Sequence, residues 1–224
     1  NQKSSIISNS VLSQGSWYKF EIENSGVYKL SKSFLNNLGI NTNSIDPRTI
    51  KIYGNGGGML PLMNSSEFPY DPVENAIKFI GEQDGVFNNE DYIIFYAQGQ
   101  DTFNEESNTN LNTFTDKTFY LLNVSAGFGK RVVDLVEPSE NEDVIIDEYQ
   151  NYKFHEIDNY NIAKIGRRWF GERFDFETNK NFEFEFDNII TTKPIDLKVY
   201  TAAVSEIPTS MSLKVNNLDI DNFN

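Results

Sequence analysis

The feature that most constrains this chain is a repeat of two. In "WYKFEIE", Trp17–Glu23, the residues Tyr18, Phe20 and Ile22 fall on one face, and Lys19, Glu21 and Glu23 on the other. "FEFEFD", Phe182–Asp187, alternates between phenylalanine and acid without a break, and "IDLKVYT" puts Ile195, Leu197 and Val199 inward. Successive side chains of a strand point to opposite faces, so such alternation predicts strands with one wet face. "DYIIFYAQG" is a continuous apolar run between turn residues and reads as a strand buried on both faces. "KTFYLLNV" and "KRVVDLVE" read as two more strands, joined as a hairpin across "SAGFG". One helix is signalled: Ser31 or Ser33 caps "SKSFLNNLG", Phe34, Leu35 and Leu38 share a face, and Gly39 fits the left-handed position after the last turn.

The chain therefore reads as mainly β. Residues 1–140 form an antiparallel, sandwich-like N-terminal domain with one short helix. Residues 151–224 form the start of a second, jelly-roll-like β-sandwich, ending in a hairpin over "MSLKVNNLDIDNFN". The boundary falls between Glu137 and Asn151, where acids, a proline and polar residues cluster. A sandwich normally has about seven strands, so the second domain is expected to be cut short.

Charge and composition narrow the chemistry. The 224 residues carry 33 acidic and 19 basic side chains, a net charge of −14. That disfavours nucleic acid, which binds through a basic face. There is no cysteine and a single histidine, His155, so disulfides, thiolate metal sites and a cysteine nucleophile are excluded within these residues. No apolar run reaches the ~18 residues of a membrane-spanning helix. The polar opening "NQKSSIISNSVLSQGSW" reads as a mature start and not as a signal peptide.

Candidate sites are few. "TIKIYGNGGGMLPL" holds four glycines in five positions after a good strand. A phosphate loop needs Gly-Lys-Ser/Thr at a helix start, and here Met59, Leu60 and Pro61 follow Gly58. The glycines are expected to serve a turn where two segments pass closely. "GEQDGVFNNED" resembles the later half of a calcium loop through Asp84, Gly85, Asn88 and Asp91, but its first ligand position falls on Ile80. Asp84-Gly85 equally makes a hairpin turn, and no metal or cofactor is expected. The acids Glu183, Glu185 and Asp187 read as a solvated strand face, and no catalytic residue is assigned. "GRRWFGERFDF" interleaves Arg167, Arg168 and Arg173 with Trp169, Phe170, Phe174 and Phe176 in an acidic chain. Stacking and forked hydrogen bonds suit such residues to a buried contact. Arg167, Arg168, Trp169, Phe170 and Arg173 are therefore the candidate interaction residues, either between the two domains or toward a further domain or protein.

Together, "GSWYKFEIENSGVYKLSKSFLNNLGI", "DPRTIKIYGNGGGMLP", "ENAIKFIGEQDGVFNNEDYIIFYAQG" and "RRWFGERFDF" resemble the N-terminal region of the PorU family. These are cell-surface sortases of the type IX secretion system in Bacteroidetes, gingipain-type cysteine peptidases. The resemblance implies a segment ahead of the peptidase domain, which holds the family's catalytic His and Cys. Neither is carried by this segment, since His155 lies outside the peptidase motif. It further implies a parent protein that cleaves C-terminal sorting signals from cargo and joins the cargo to an anionic lipopolysaccharide. The implied partners are the downstream peptidase domain and the outer-membrane barrel protein PorV, and the implied location is the cell surface. The alternative is a free-standing adhesin or carbohydrate-binding sandwich, which would stack sugars on aromatics of a flat face.

Overall fold

The computed structural model describes residues 9–137, 145–164, 166 and 168–224. The chain is mainly β, with antiparallel sheets and one short helix, and divides into two compact units, Asn1–Phe154 and His155–Asn224. Part of the expected linker, residues 138–144, lies outside the described residues.

Among the described residues the first unit holds seven strands: β1 (Ser16–Ile22), β2 (Gly26–Ser31), β3 (Ile50–Tyr53), β4 (Glu74–Asn75), β5 (Lys78–Ile80), β6 (Tyr92–Ala97) and β7 (Thr118–Val124). One antiparallel sheet runs β1-β7-β3-β4 and the other β2-β6-β5. Alternation decides what each strand buries. Phe20 and Ile22 of β1, Ile50 and Ile52 of β3, and Tyr120 and Leu122 of β7 form one inner face. Leu30, Phe79, Ile93, Phe95 and Ala97 form the other. The single helix, α1 (Lys32–Asn37), brings Leu35 into the core. Its start follows the capping signal, since Ser31 Oγ accepts the Phe34 N–H at 3.2 Å. Its end follows the glycine signal: Gly39 has φ +97 and donates to Asn36 O.

In the first unit two strand expectations change. "YIIFYA" is not buried on both faces, because Ile93, Phe95 and Ala97 point inward while Tyr96 is exposed. "KRVVDLVE" does not form a hairpin with β7. After β7 the chain passes close to β3, where Gly129 donates to Arg48 O, and reaches the second sheet. There Arg131 bridges Ile77 in parallel, with Val132 N–H donating to Ile77 O at 2.9 Å. Arg131 drives this route. Its guanidinium binds the Glu82 carboxylate through Nε and Nη2, and also donates to the carbonyls of Pro47, Arg48 and Ile50.

The glycine run serves close approach, as expected. A Cβ on Gly54 would stand 2.4 Å from the Tyr120 ring, and one on Gly57 would stand 2.6 Å from the Gln100 Cα. Gly56 has φ +76.

The second unit ends in an antiparallel hairpin, β8 (Met211–Val215) and β9 (Leu218–Phe223), turned by Asn216 and Asn217 at φ 48 and 68. Both turn residues at positive φ match the tight hairpin turns that asparagine tolerates. The expected strands over "FEFEFD" and "IDLKVYT" are not in any ladder. Alternation fixes the faces of a strand, but a ladder also needs a neighbour in register, and neither stretch has one among the described residues.

Adding a methyl at a crowded glycine should therefore cost more than adding one in open space. Gly54→Ala is expected to lose about 1–3 kcal/mol by overpacking. Gly26→Ala, with nothing within 4 Å of the new Cβ, should stay within about 0.5 kcal/mol of the parent. Urea unfolding of both variants measures the difference, and equal losses would contradict the close-approach account.

Candidate functional site

The Arg-aromatic run is held by a short antiparallel contact inside the second unit. Phe170 N–H donates to Tyr160 O at 2.8 Å, and Tyr160 N–H returns to Phe170 O at 2.8 Å. The Asn159 side-chain amide donates to Gly171 O. A Cβ on Gly171 would meet Ile157 O at 2.8 Å, so the closeness of these two segments depends on glycine there. Beside this contact, His155 Nε2 lies 2.5 Å from Glu172 Oε1, and the imidazole packs 4.7 Å from the Phe182 ring.

Of the candidate interaction residues, Phe170 is half-buried, whereas Arg168 and Trp169 are exposed, Trp169 at 39%. Arg173 pairs with Asp175 at 3.1 Å and stays largely in solvent. Arg167 lies outside the described residues. Phe174 is exposed, with the Lys180 ammonium 6.0 Å from its ring centroid, and Phe176 is fully exposed. The surface thus offers two cations and several aromatic rings to solvent.

Burial raises the pKa of Asp158 above its ordinary 3.8, and the nearby Glu156 charge adds to the rise. The described polar partner of His155 is Glu172. The pair ties His155 to Glu172 across 17 residues, beside the Tyr160–Phe170 contact.

The Asp84 loop is a side-chain-bound turn between β5 and β6. Asp84 Oδ1 accepts the Val86 N–H at 2.9 Å and Oδ2 accepts the Asn88 amide at 3.0 Å. Asp91 Oδ2 accepts the Asn88 N–H at 2.7 Å, and its Oδ1 packs where a Gly81 side chain would otherwise stand. Glu82 is taken by Arg131. Among the described residues no group of three or more His, Cys, Asp or Glu side chains is placed to hold a metal ion.

Two further features were not singled out by sequence reasoning. On the outer face of the β1-β7-β3 sheet, Trp17 and Tyr53 meet edge to face, with centroids 5.1 Å apart. Both rings are half-buried, and an edge-to-face pair gives no parallel platform for a sugar ring. An open cleft of the second unit is lined by Leu197, Val199, Tyr200, Leu213, Ile220 and Phe223. The first was hidden because Trp17 and Tyr53 lie on different strands, and only pairing with β7 brings them together.

No protein-family model matches the chain, and no curated protein matches it. Among solved structures, it is similar to the crystal structure of dimeric latent PorU from Porphyromonas gingivalis. The likeness has 26% sequence identity and a TM-score of 0.55, and covers 74% of this chain. The chain spans 14% of the length of that PorU chain.

Two predictions follow from this chemistry. Since Asp84 Oδ1 and Oδ2 and Asp91 Oδ2 already accept N–H groups, thermal melts in EDTA and in excess calcium should overlay, whereas Asp91→Ala should cost about 1–3 kcal/mol by stranding the Asn88 N–H. A calcium-induced rise in Tm would refute the turn assignment. Asp158 gives a pH dependence of known sign. A carboxyl whose folded pKa is raised stabilises the fold below its unfolded pKa, and that contribution is lost as pH rises through the folded value. Asp158→Asn should therefore be more stable than the parent at neutral pH, with the gain vanishing in acid. Denaturant midpoints across pH test this, and a loss at neutral pH would oppose it.

Proposed function

We propose that this chain is a non-catalytic N-terminal module of a PorU-like cell-surface sortase of the type IX secretion system. The single observation that carries the reading is the likeness to PorU over 74% of a chain that contains no cysteine. The full-length protein would cleave C-terminal sorting signals from secreted cargo and attach the cargo to an anionic lipopolysaccharide. A cysteine peptidase of that kind needs a thiolate and a base within hydrogen-bond reach, and both would come from a peptidase domain outside these residues. The module's part is then mechanical. It scaffolds that domain or docks a partner, with the outer-membrane barrel protein PorV as the proposed partner at the cell surface.

The solvent-facing Arg168, Trp169 and Arg173 support a docking role. Arginine and tryptophan are the side chains that most often dominate contact energies, because each removes a large flat surface from water. Here their approach is set by the Tyr160–Phe170 main-chain pair, so the surface is presented by hydrogen-bonded backbone.

The test is direct. Purified 224-residue chain is incubated with sorting-signal peptides beside the longer protein that contains it, and products are followed by mass spectrometry. The chain alone should leave the peptides intact and the longer protein should cut them. Turnover by the chain that disappears on mutating one of its own residues would overturn the reading. The docking role is tested separately. Trp169→Ala should weaken binding of the chain to the purified peptidase domain or to PorV about tenfold or more, as expected for an anchor residue, with little change in its own melting temperature. Unchanged binding to both would remove the docking surface.

A further inference from the structure

In the first unit two loops lie against each other, residues 54–73 after β3 and 98–116 after β6, and both present apolar side chains to water. Leu60, Leu62 and Met63 of the first are 60%, 52% and 63% exposed, and Phe103 of the second is exposed as well. Specific contacts join the loops. Leu62 N–H donates to Glu106 Oε2 at 2.8 Å, the Asn112 side-chain amide donates to Gly57 O at 2.8 Å, and the Thr113 hydroxyl lies 3.7 Å from Met59 Sδ. The second loop is closed on itself by the Asn104–Thr109 bridge, with Asn104 Oδ1 accepting the Ser107 N–H. The first is tied where it returns, since the Asn55 side chain accepts the Val73 N–H and donates to Asp71 O. The backbones are thus held while large apolar side chains face water. Apolar side chains gathered on ordered backbone mark contact surfaces, and an ordered surface loses less entropy on binding.

Charge decides what the contact can be. From Ile52 to Asp116 the sequence holds one basic residue, Lys78, which lies on β5 and pairs with Asp134. The two loops therefore carry acids and no Lys or Arg. Glu67 and Glu105 are exposed, and neither has an ion-pair partner among the described residues.

We propose that this two-loop patch docks a polypeptide segment that is apolar on one side and carries Lys or Arg beside that apolar face. The apolar side chains set the first requirement, because they gain only from a surface that removes them from water. The acids set the second, because like charges across a contact are costly and opposite charges steer the approach. A second copy meeting the patch with the same loops would bring acids to acids. An anionic lipid surface is opposed for the same reason, since segments that lie on such membranes use Lys and Arg. The inference rests on these loops and not on the sortase reading.

The experiment uses the full 224-residue chain and a synthetic helical peptide of leucine and lysine with its leucines on one side. Its controls are the same peptide with glutamate for lysine, and a scrambled peptide of equal composition. Met63 supplies the readout, since Met59 and Met211 are half-buried and Met63 is the most exposed of the three methionines. Peroxide converts an accessible methionine to its sulfoxide, which mass spectrometry counts at each site. The leucine–lysine peptide should slow oxidation of Met63, and the glutamate peptide should not. In the double variant Leu60→Ser with Leu62→Ser, the peptide concentration that gives half protection should rise about tenfold or more, with an unchanged melting temperature. In the double variant Glu67→Lys with Glu105→Lys, protection should pass from the lysine peptide to the glutamate peptide. That reversal is a gain of binding, which misfolding cannot mimic. Equal protection by the scrambled peptide would reduce the effect to general charge attraction and overturn the proposal. No protection by any peptide would overturn it as well, and so would a Met63 already shielded in the chain alone at any concentration. Stronger protection by phosphatidylcholine or phosphatidylglycerol vesicles than by the peptide would make the patch a lipid contact and overturn the polypeptide assignment.

Discussion

The first unit depends on one aromatic cluster. Phe20 of β1 and Tyr120 of β7 come from one sheet, Phe95 of β6 from the other, and Phe34 from α1. The Phe95 and Tyr120 centroids are 5.5 Å apart and edge on, while Phe20 meets Phe95 edge on at 5.9 Å and stacks on Tyr120 at 6.2 Å. Such offset and edge contacts complement ring quadrupoles as well as burying area. Tyr120 adds a polar tie that the phenylalanines cannot supply. Its hydroxyl accepts the Gln98 N–H at 2.8 Å and reaches Gln98 O, which fixes the chain as it leaves β6. Burial raises the pKa of this phenol, so it stays protonated and able to donate. Gly54 then lies against the same ring, which leaves no room for a side chain there.

A second tie closes the sandwich at its edge. Arg131 and Glu82 are both mostly buried, with a forked contact as short as 2.7 Å. A buried pair recovers its desolvation cost only where its remaining donors are also satisfied. Here three main-chain carbonyls take up the other guanidinium protons. The arginine thus joins the entry to β3, the turn after β5 and the segment after β7, which are far apart in sequence. This is why the segment after β7 crosses to the second sheet instead of folding back.

That contrast explains what the sequence could and could not reveal. The helix was legible because its cap, its buried face and its terminal glycine lie within nine residues, Ser31 to Gly39. The strands β1 and β3 and the last hairpin were legible for the same reason, since alternation and turn residues are local. The route after β7 was not, because Arg131 finds Glu82 at a separation of 49 residues and Arg48 at 83. The one-sided burial of β6 was also hidden, because Ile94 and Tyr96 look apolar whichever face they take. Of the candidate surface, the cluster of arginines and aromatics was visible in the sequence. Its presentation was not, because it depends on the Tyr160–Phe170 bridge and on the space left by Gly171.

The two units show that alternation is half of an instruction. In β1, Phe20 and Ile22 are buried and every residue from Ser16 to Ile22 has a partner on β7. In 182–187 the alternation is stricter, yet the phenylalanines stay over a third exposed and no ladder forms. The difference lies in the other face. The outward side of β1 mixes Lys19 with Glu21, so that Lys19 lies over Phe119 of β7 and Glu21 pairs with Lys117 just before it. Between the phenylalanines of 182–187 stand only the acids Glu183 and Glu185, and no such cross-strand pair forms there among the described residues. Hydrophobic pattern selects which face turns inward, and charge pattern selects which neighbour can lie alongside. Where both are met, as in β1, a sheet forms, and where only the first is met, as in 182–187, the stretch stays outside any ladder among the described residues.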